Sequence, residues 1–577
     1  MFKKNTATLV WHAQQTYSAR MEAQKAQILA YFDLPSAAGE IYAEKAVFAL
    51  AQNVHVSEAL RQIERTAQWF ELPHPTGRDP RGESTFAALG LVSALYRAGD
   101  RLTAGVRAAI DHFFLQRNFE SMYESENHRL LHHTAVYLAA QFYQDQYFTW
   151  AGKLGRDMTG EEEAFLEQYI DFRARRSWGE FDSCGYLAVD FNCLLDLRDF
   201  SQNARLRKLA EMMLDLLLID MAVDSRDGLY GGAHGRIYPP SAMNAAVGGM
   251  QSIYGLYFDG AHFAESGPAP YRCLLSDYRP DPVVYQLMLG KEGAYINREA
   301  KHLHCIPNPP QQEGSISKYT FVTPSYIIGA VNRQDNYLPD SPQRWYAHHE
   351  QHELDALILS HPRAKVFTHH PGDFKEHNQW TGDLRCGCVQ SFCDLNVAMA
   401  TYDIGPKQME YINAYLCESV MDEVRTEGKW VFCARDGVYI ALYGSNGWHY
   451  SDFRSTEDGS RCELISEGRK HACVIEISDA EESQDAFIAR ICGNLLEFDE
   501  DTMELCYTSG GRTRKMRGQE REINALPVRF PYDTFDSPYV RAKAGENRIF
   551  VTGLERRVVY DFARAAVVNL DEGKESL

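Results

Sequence analysis

Three short stretches of the chain gather residue types that can hold an anion and move a proton. In residues 125–143, SENHRLLHHTAVYLAAQFY, Asn127 and His128 stand at the start of an apolar helical run with Ser125 placed as its N-cap. The unpaired N–H groups of a helix start, together with the side-chain donors of Asn127 and His128, favour a carboxylate. The plainer reading makes Asn127 a cap and His128 a satisfied core histidine. His128 and His132 also stand four apart, a spacing open to a metal, although no Glu completes the usual zinc-binding pattern. In residues 177–197, SWGEFDSCGYLAVDFNCLLDL, a loop carrying Trp178, Glu180, Asp182 and Tyr186 leads into a helix that holds Asp190. Tyr186 is either a packing residue with its hydroxyl at the rim or, beside a cation or histidine, a proton donor and acceptor. In residues 227–240, DGLYGGAHGRIYPP, Tyr230, His234, Arg236 and Tyr238 are set among glycines that let backbone approach a ligand closely. A phosphate cradle is excluded there, because this loop follows a helix and lacks the terminal Lys-Ser/Thr. A glycine-rich turn with a histidine satisfying backbone carbonyls is the structural alternative.

An amide, histidines, tyrosines and an arginine together suit β-elimination at a uronic acid. The sugar carboxylate must be neutralised so that the enolate-like anion is tolerated. A base then takes the proton alpha to it, and an acid protonates the leaving glycosidic oxygen. Hydrolysis instead needs two opposed carboxyls roughly 5–9.5 Å apart, for which Glu180, Asp182 and Asp190 are the candidates. A catalytically silent carbohydrate-binding protein is the third reading.

The elements that must position these residues fall into two halves. As far as residue 290 the pattern is helical, with runs such as STFAALGLVSALYRAG and RLRKLAEMMLDLLLIDMAV, several of them apolar nearly all round and so buried on both sides. Successive hairpins of such helices predict an incomplete α/α toroid over residues 1–295. Beyond it, runs such as KYTFVTPSYIIGAV, KWVFCARDGVYIALYG and RRVVYDFARAAVVNL predict an antiparallel β-sandwich region over 296–577. The chain is thus read as α+β and multidomain, with HCIPNPPQQEGS as a linker near the boundary.

Within that frame the chain resembles the toroid polysaccharide lyases of the heparinase II/III and alginate-lyase type. The likeness rests on Glu126-Asn127-His128 through Phe142, on Trp178-Gly179-Glu180-Phe181-Asp182-Ser183 with Tyr186, and on the stretch from Gly231 to Tyr238. It covers roughly residues 120–240, with Phe181 standing where this branch carries a Glu-Trp pair shifted by one. The resemblance implies that Asn127 and His128 neutralise the carboxylate and that Tyr186, 59 residues after Asn127, is the central catalytic tyrosine. His234 would be the partner base, with Arg236, Tyr238, Trp178 and Glu180 binding substrate. No cofactor is expected, although relatives carry a histidine or structural zinc in the β half, where His302, His304, His348, His349, His352, His369 and His370 are unranked candidates.

Composition narrows the partners. Lys+Arg of 59 against Asp+Glu of 79 gives a net charge of −20 without a basic stripe, which excludes a nucleic-acid backbone. It leaves an anionic substrate open, because charges farther than a Debye length of about 8 Å are screened and a site's local field can differ from the whole-chain sum, but it favours a plain uronate over a highly sulfated glycan. Asp215 and Asp220 interrupt the longest apolar stretch, residues 212–223, so no membrane span is expected. The first twenty residues lack a small-residue cleavage site, which predicts an unexported, cytoplasmic protein acting on imported oligosaccharides, with homo-oligomerisation left open. Thirteen cysteines without a spaced framework fit a reducing compartment, and Cys386, Cys388 and Cys393 read as buried strand thiols.

Overall fold

A computed structural model of the chain describes residues 6–30, 43–68, 84–119, 125–258, 269–302, 315–335, 351–372, 380 and 387–571. The HCIPNPPQQEGS linker lies outside them apart from Ser315, as do His304, His348, His349 and Cys386. Helices occupy the first half and antiparallel strands the second, the multidomain α+β arrangement the sequence predicts. The change falls between the helix Pro282–Gly290 and the strand Tyr295–His302.

The helices form two layers. In the inner one, Glu44–Ala51, Ser84–Ala98, Glu126–Phe142 and Tyr186–Phe200 pack each on the next, and Ala269–Leu275 touches both the last and the first. Ser84–Ala98 is buried on nearly every side, as an inner helix must be. The outer helices Val56–Ala67, Gly155–Arg176 and Ala204–Val223 cover it, the last two packing on each other. The N-terminal helix Thr6–Ala30 closes against Pro282–Gly290. No described helix is long and apolar enough to cross a membrane.

The antiparallel β-sandwich region expected over the second half is built of three stacked sheets. A thirteen-stranded sheet, a six-stranded sheet and a five-stranded sheet follow one another, with every described pairing antiparallel. The middle sheet is buried on both faces except at its edge strand Glu423–Glu427. In its strand Val397–Asp403, Ala398 and Ala400 point into the core shared with the large sheet, while Val397 and Met399 point into the core shared with the five-stranded one. That explains an uninterrupted apolar run where a half-exposed strand would alternate. Nine described cysteines are buried free thiols, Cys388 and Cys393 among them.

The halves are not independent along the chain. Phe535, Val540, Ile549, Val558 and Tyr560, from the C-terminal strands, join the same core cluster as the inner helices. Buried Asp215, on an outer helix, accepts from the hydroxyls of Tyr278 at 2.6 Å and Tyr560 at 3.0 Å. The charge that breaks the apolar run in sequence therefore ties the last strands to the helices.

Candidate active site

The helix Glu126–Phe142 starts at Ser125, whose Oγ accepts from the His128 backbone N–H and donates to Asn127 Oδ1 at 3.1 Å. Its first residue, Glu126, accepts from the backbone N–H groups of Gly179 and Glu180 at 2.9 and 2.6 Å and pairs with Arg173 at 2.8 Å. This pins the loop that precedes Tyr186 against the helix start. The third stretch joins through Glu180, whose two carboxylate oxygens accept separately from Arg236 Nη1, at 2.7 Å, and from Asn127 Nδ2. One buried carboxylate thus links all three stretches that the sequence singles out.

The glycines of the third stretch serve this junction. The Gly235 N–H donates to the Phe181 carbonyl at 2.6 Å, and a Cβ at 235 would stand 2.9 Å from the Phe181 backbone nitrogen. Gly232, with φ of 86°, lies against Thr320 of the large sheet. These glycines let backbone approach protein, where the sequence suggested a ligand. Ser177, Asp182 and Arg236 hold φ of 57°, 52° and 56°, a region that residues with a Cβ enter at a cost.

On the solvent side, the Arg236 guanidinium lies 4.4 Å from the Tyr186 ring centroid, and the Tyr186 hydroxyl is 2.9 Å from that of Tyr238. Tyr238 is 37% exposed and the Arg236 side chain 22%. Burial holds the Tyr186 phenol well above its ordinary pKa, with Arg236 opposing, so it carries its proton. His128 sits with Nδ1 2.9 Å from Thr85 Oγ1 and its ring edge-on to Phe86. Burial, then the charge of Arg236, pulls its pKa down to about 4, which leaves a neutral imidazole at neutral pH. Burial raises the Glu180 carboxyl, with Arg236 opposing. Asp190, one turn beyond Tyr186, is fully buried, and neither of its oxygens has a hydrogen-bond partner among the described residues. Burial, then Glu126 and Glu180, drives its pKa well up, so it is a neutral acid.

The expected residues therefore separate by depth. Tyr186, Arg236 and Tyr238 reach solvent, and Asn127, His128 and Glu180 stand behind them. Trp178 is 3% exposed and packs between Tyr169 and Arg173, so the substrate contact expected of it has no open face here. His234, expected as the partner base, is equally buried: its Nδ1 faces the Asp182 carbonyl at 2.8 Å, and its backbone pairs with that of His352. Burial pulls its pKa down to about 4.

Two polar clusters lie under the loops, against the large sheet. In one, His352 Nδ1 stands 2.8 Å from His369 Nε2, at hydrogen-bond distance, and Asp355 pairs with Lys365 at 3.2 Å. His302 stacks edge-on to Phe172, and His370 Nε2 faces the Met409 carbonyl at 2.8 Å, so the described β-half histidines do not converge as a metal centre. In the other cluster, Asp182, Asp220 and Glu299 bring ligand atoms within 4.8 Å of one another, the one such group among the described residues. Lys301 and Lys318 already occupy it: Lys301 pairs with Asp220 at 2.6 Å and Glu299 at 3.1 Å, and Lys318 with Asp182 and Asp224. Burial would raise Asp182, yet the two ammonium groups hold it below the usual carboxylate range. The positive charge that a metal would supply is thus present in the chain. Sequence reading missed both lysines; the available signal was Asp220 and Asp224, in and just after the apolar end of the helix Ala204–Val223, which need buried partners.

A cleft of about 160 Å³ lined by Arg175, Lys301, His302, Tyr532 and Thr534 lies elsewhere, with neither Tyr186 nor Arg236 in its wall. No family model matches the chain, and no curated protein matches it.

Proposed function

We propose that the chain is a carbohydrate lyase that cleaves a uronate-containing glycan by β-elimination. The observation that carries the reading is the stack of Arg236 on the solvent-reaching Tyr186, with Arg236 joined through Glu180 to Asn127 at the start of the helix that carries His128. A cation, an acid and a base are the set that elimination requires. Arg236 takes the sugar carboxylate, in place of the buried Asn127. His128, 9% exposed against 0–2% for the buried carboxylates, takes the proton alpha to the carboxylate on Nε2 in the tautomer whose Nδ1–H donates to Thr85. The electron pair of that C–H bond forms the new C=C bond as the bond to the glycosidic oxygen breaks, and Tyr186 gives that oxygen its proton. Asn127 and Glu180 hold Arg236 from behind. Hydrolysis is less well supported, because Glu180, Asp182 and Asp190 are 2%, 0% and 0% exposed and cannot flank a sugar in this conformation.

The pH–rate profile tests this reading. A base whose pKa is about 4 is protonated, and lost, only below that value, so kcat/KM should hold level from neutral pH down to about pH 4 and then fall. An acid limb near the ordinary histidine value would assign the base elsewhere.

A further inference from the structure

The 2.9 Å contact between the hydroxyls of Tyr186 and Tyr238 is more than packing. Tyr238 lies at the N-terminal edge of the short helix Pro239–Met243 and is the more exposed of the two rings, and its ring centroid stands 6.1 Å from that of Tyr186. The rings are tilted by 47°, so they meet at their hydroxyls and not face to face. Before reaction either phenol can be the donor, and while Tyr186 donates, Tyr238 helps to hold the proton on it. Once Tyr186 has given its proton to the leaving oxygen, the pair has one proton left, on Tyr238, and the contact becomes a hydrogen bond to a phenolate. Hydrogen bonds to an ionised oxygen are roughly twice as strong as neutral ones. The gain therefore arises only as charge develops on Tyr186, the condition for lowering a barrier without tightening substrate binding. Arg236, 4.4 Å from the centroid of the same ring, acts in the same direction.

We propose that Tyr238 is a positioning residue that tunes Tyr186 as the acid, and not the substrate contact its place in the loop suggests. This rests on the lyase reading, and Tyr238 itself touches no reacting atom. His128 then releases the substrate's proton to water and Tyr186 regains one from water, directly or through Tyr238, so the site is restored without any co-reactant.

The test compares wild type and Tyr238→Phe on two uronides, one with a sugar leaving group and one with an aryloxide that departs without a proton. With the sugar, kcat should fall about tenfold while KM stays within twofold. With the aryloxide the deficit should vanish, a pattern that a merely structural role would not give. The thermal midpoint should be unchanged, since the ring and its partly exposed seat are kept. A loss that appears in KM, or one equal for both leaving groups, overturns the proposal while leaving the lyase reading standing. Absence of elimination by the wild type overturns both.

Discussion

Tyr186→Phe is expected to lower kcat by roughly 10²–10⁴-fold, the usual contribution of a positioned acid, while saccharide binding measured by calorimetry persists. The substitution removes one oxygen and leaves the ring on which Arg236 stacks 4.4 Å from the centroid, so the cation stays in place. Burial makes the effect specific to the acid role, because the phenol is held in its protonated form. An aryloxide leaving group should restore much of the lost rate. Turnover equal to wild type would remove Tyr186 from the mechanism.

Lys318→Met is expected to have the largest effect on stability. Its ammonium pairs with Asp182 and Asp224 and lies 3.3 Å from Glu299, all fully buried. Taking away one partner of a buried ion pair costs roughly 3–5 kcal/mol, because the opposing charges remain without compensation. Against a total stability of about 5–15 kcal/mol, that shift should appear as a large drop in the urea midpoint or as failure to fold. Combining it with Asp224→Asn should recover part of the loss, since one of the stranded carboxylates is then neutral. A midpoint equal to wild type would show that the network is not held together by Lys318. The consequence reaches the candidate site, because Asp182 precedes Tyr186 by four residues and its carbonyl faces His234 Nδ1.

Much of the fold was legible because local pattern and tertiary burial agree. The inner helix Ser84–Ala98 is apolar all round in sequence and buried all round in the structure, and Ser125 caps Glu126–Phe142 as its type and place predict. The stacking of three sheets was not legible. A run such as Val397–Ala400 announces a strand, but whether its two faces meet one core or two depends on partners more than seventy residues away. In the site, residue types pointed to the right loops, since Asn127, Glu180 and Arg236 are in direct contact. Depth did not follow from type. Asn127 and His234 read as ligand-facing polar residues and are in fact satisfied inside the protein, by Glu180 and by the Asp182 carbonyl. Lys301 and Lys318 drew no reading from the sequence, because nothing local in a strand tells which face meets a buried acid.

The most direct measurement is incubation of the full chain with a panel of uronate polymers and oligomers, following ultraviolet absorbance and product mass together. The account predicts that one substrate yields products absorbing as unsaturated uronates, lighter by one water than the corresponding hydrolysis products. Reducing ends that accumulate without that absorbance, with masses that include the added water, would contradict it.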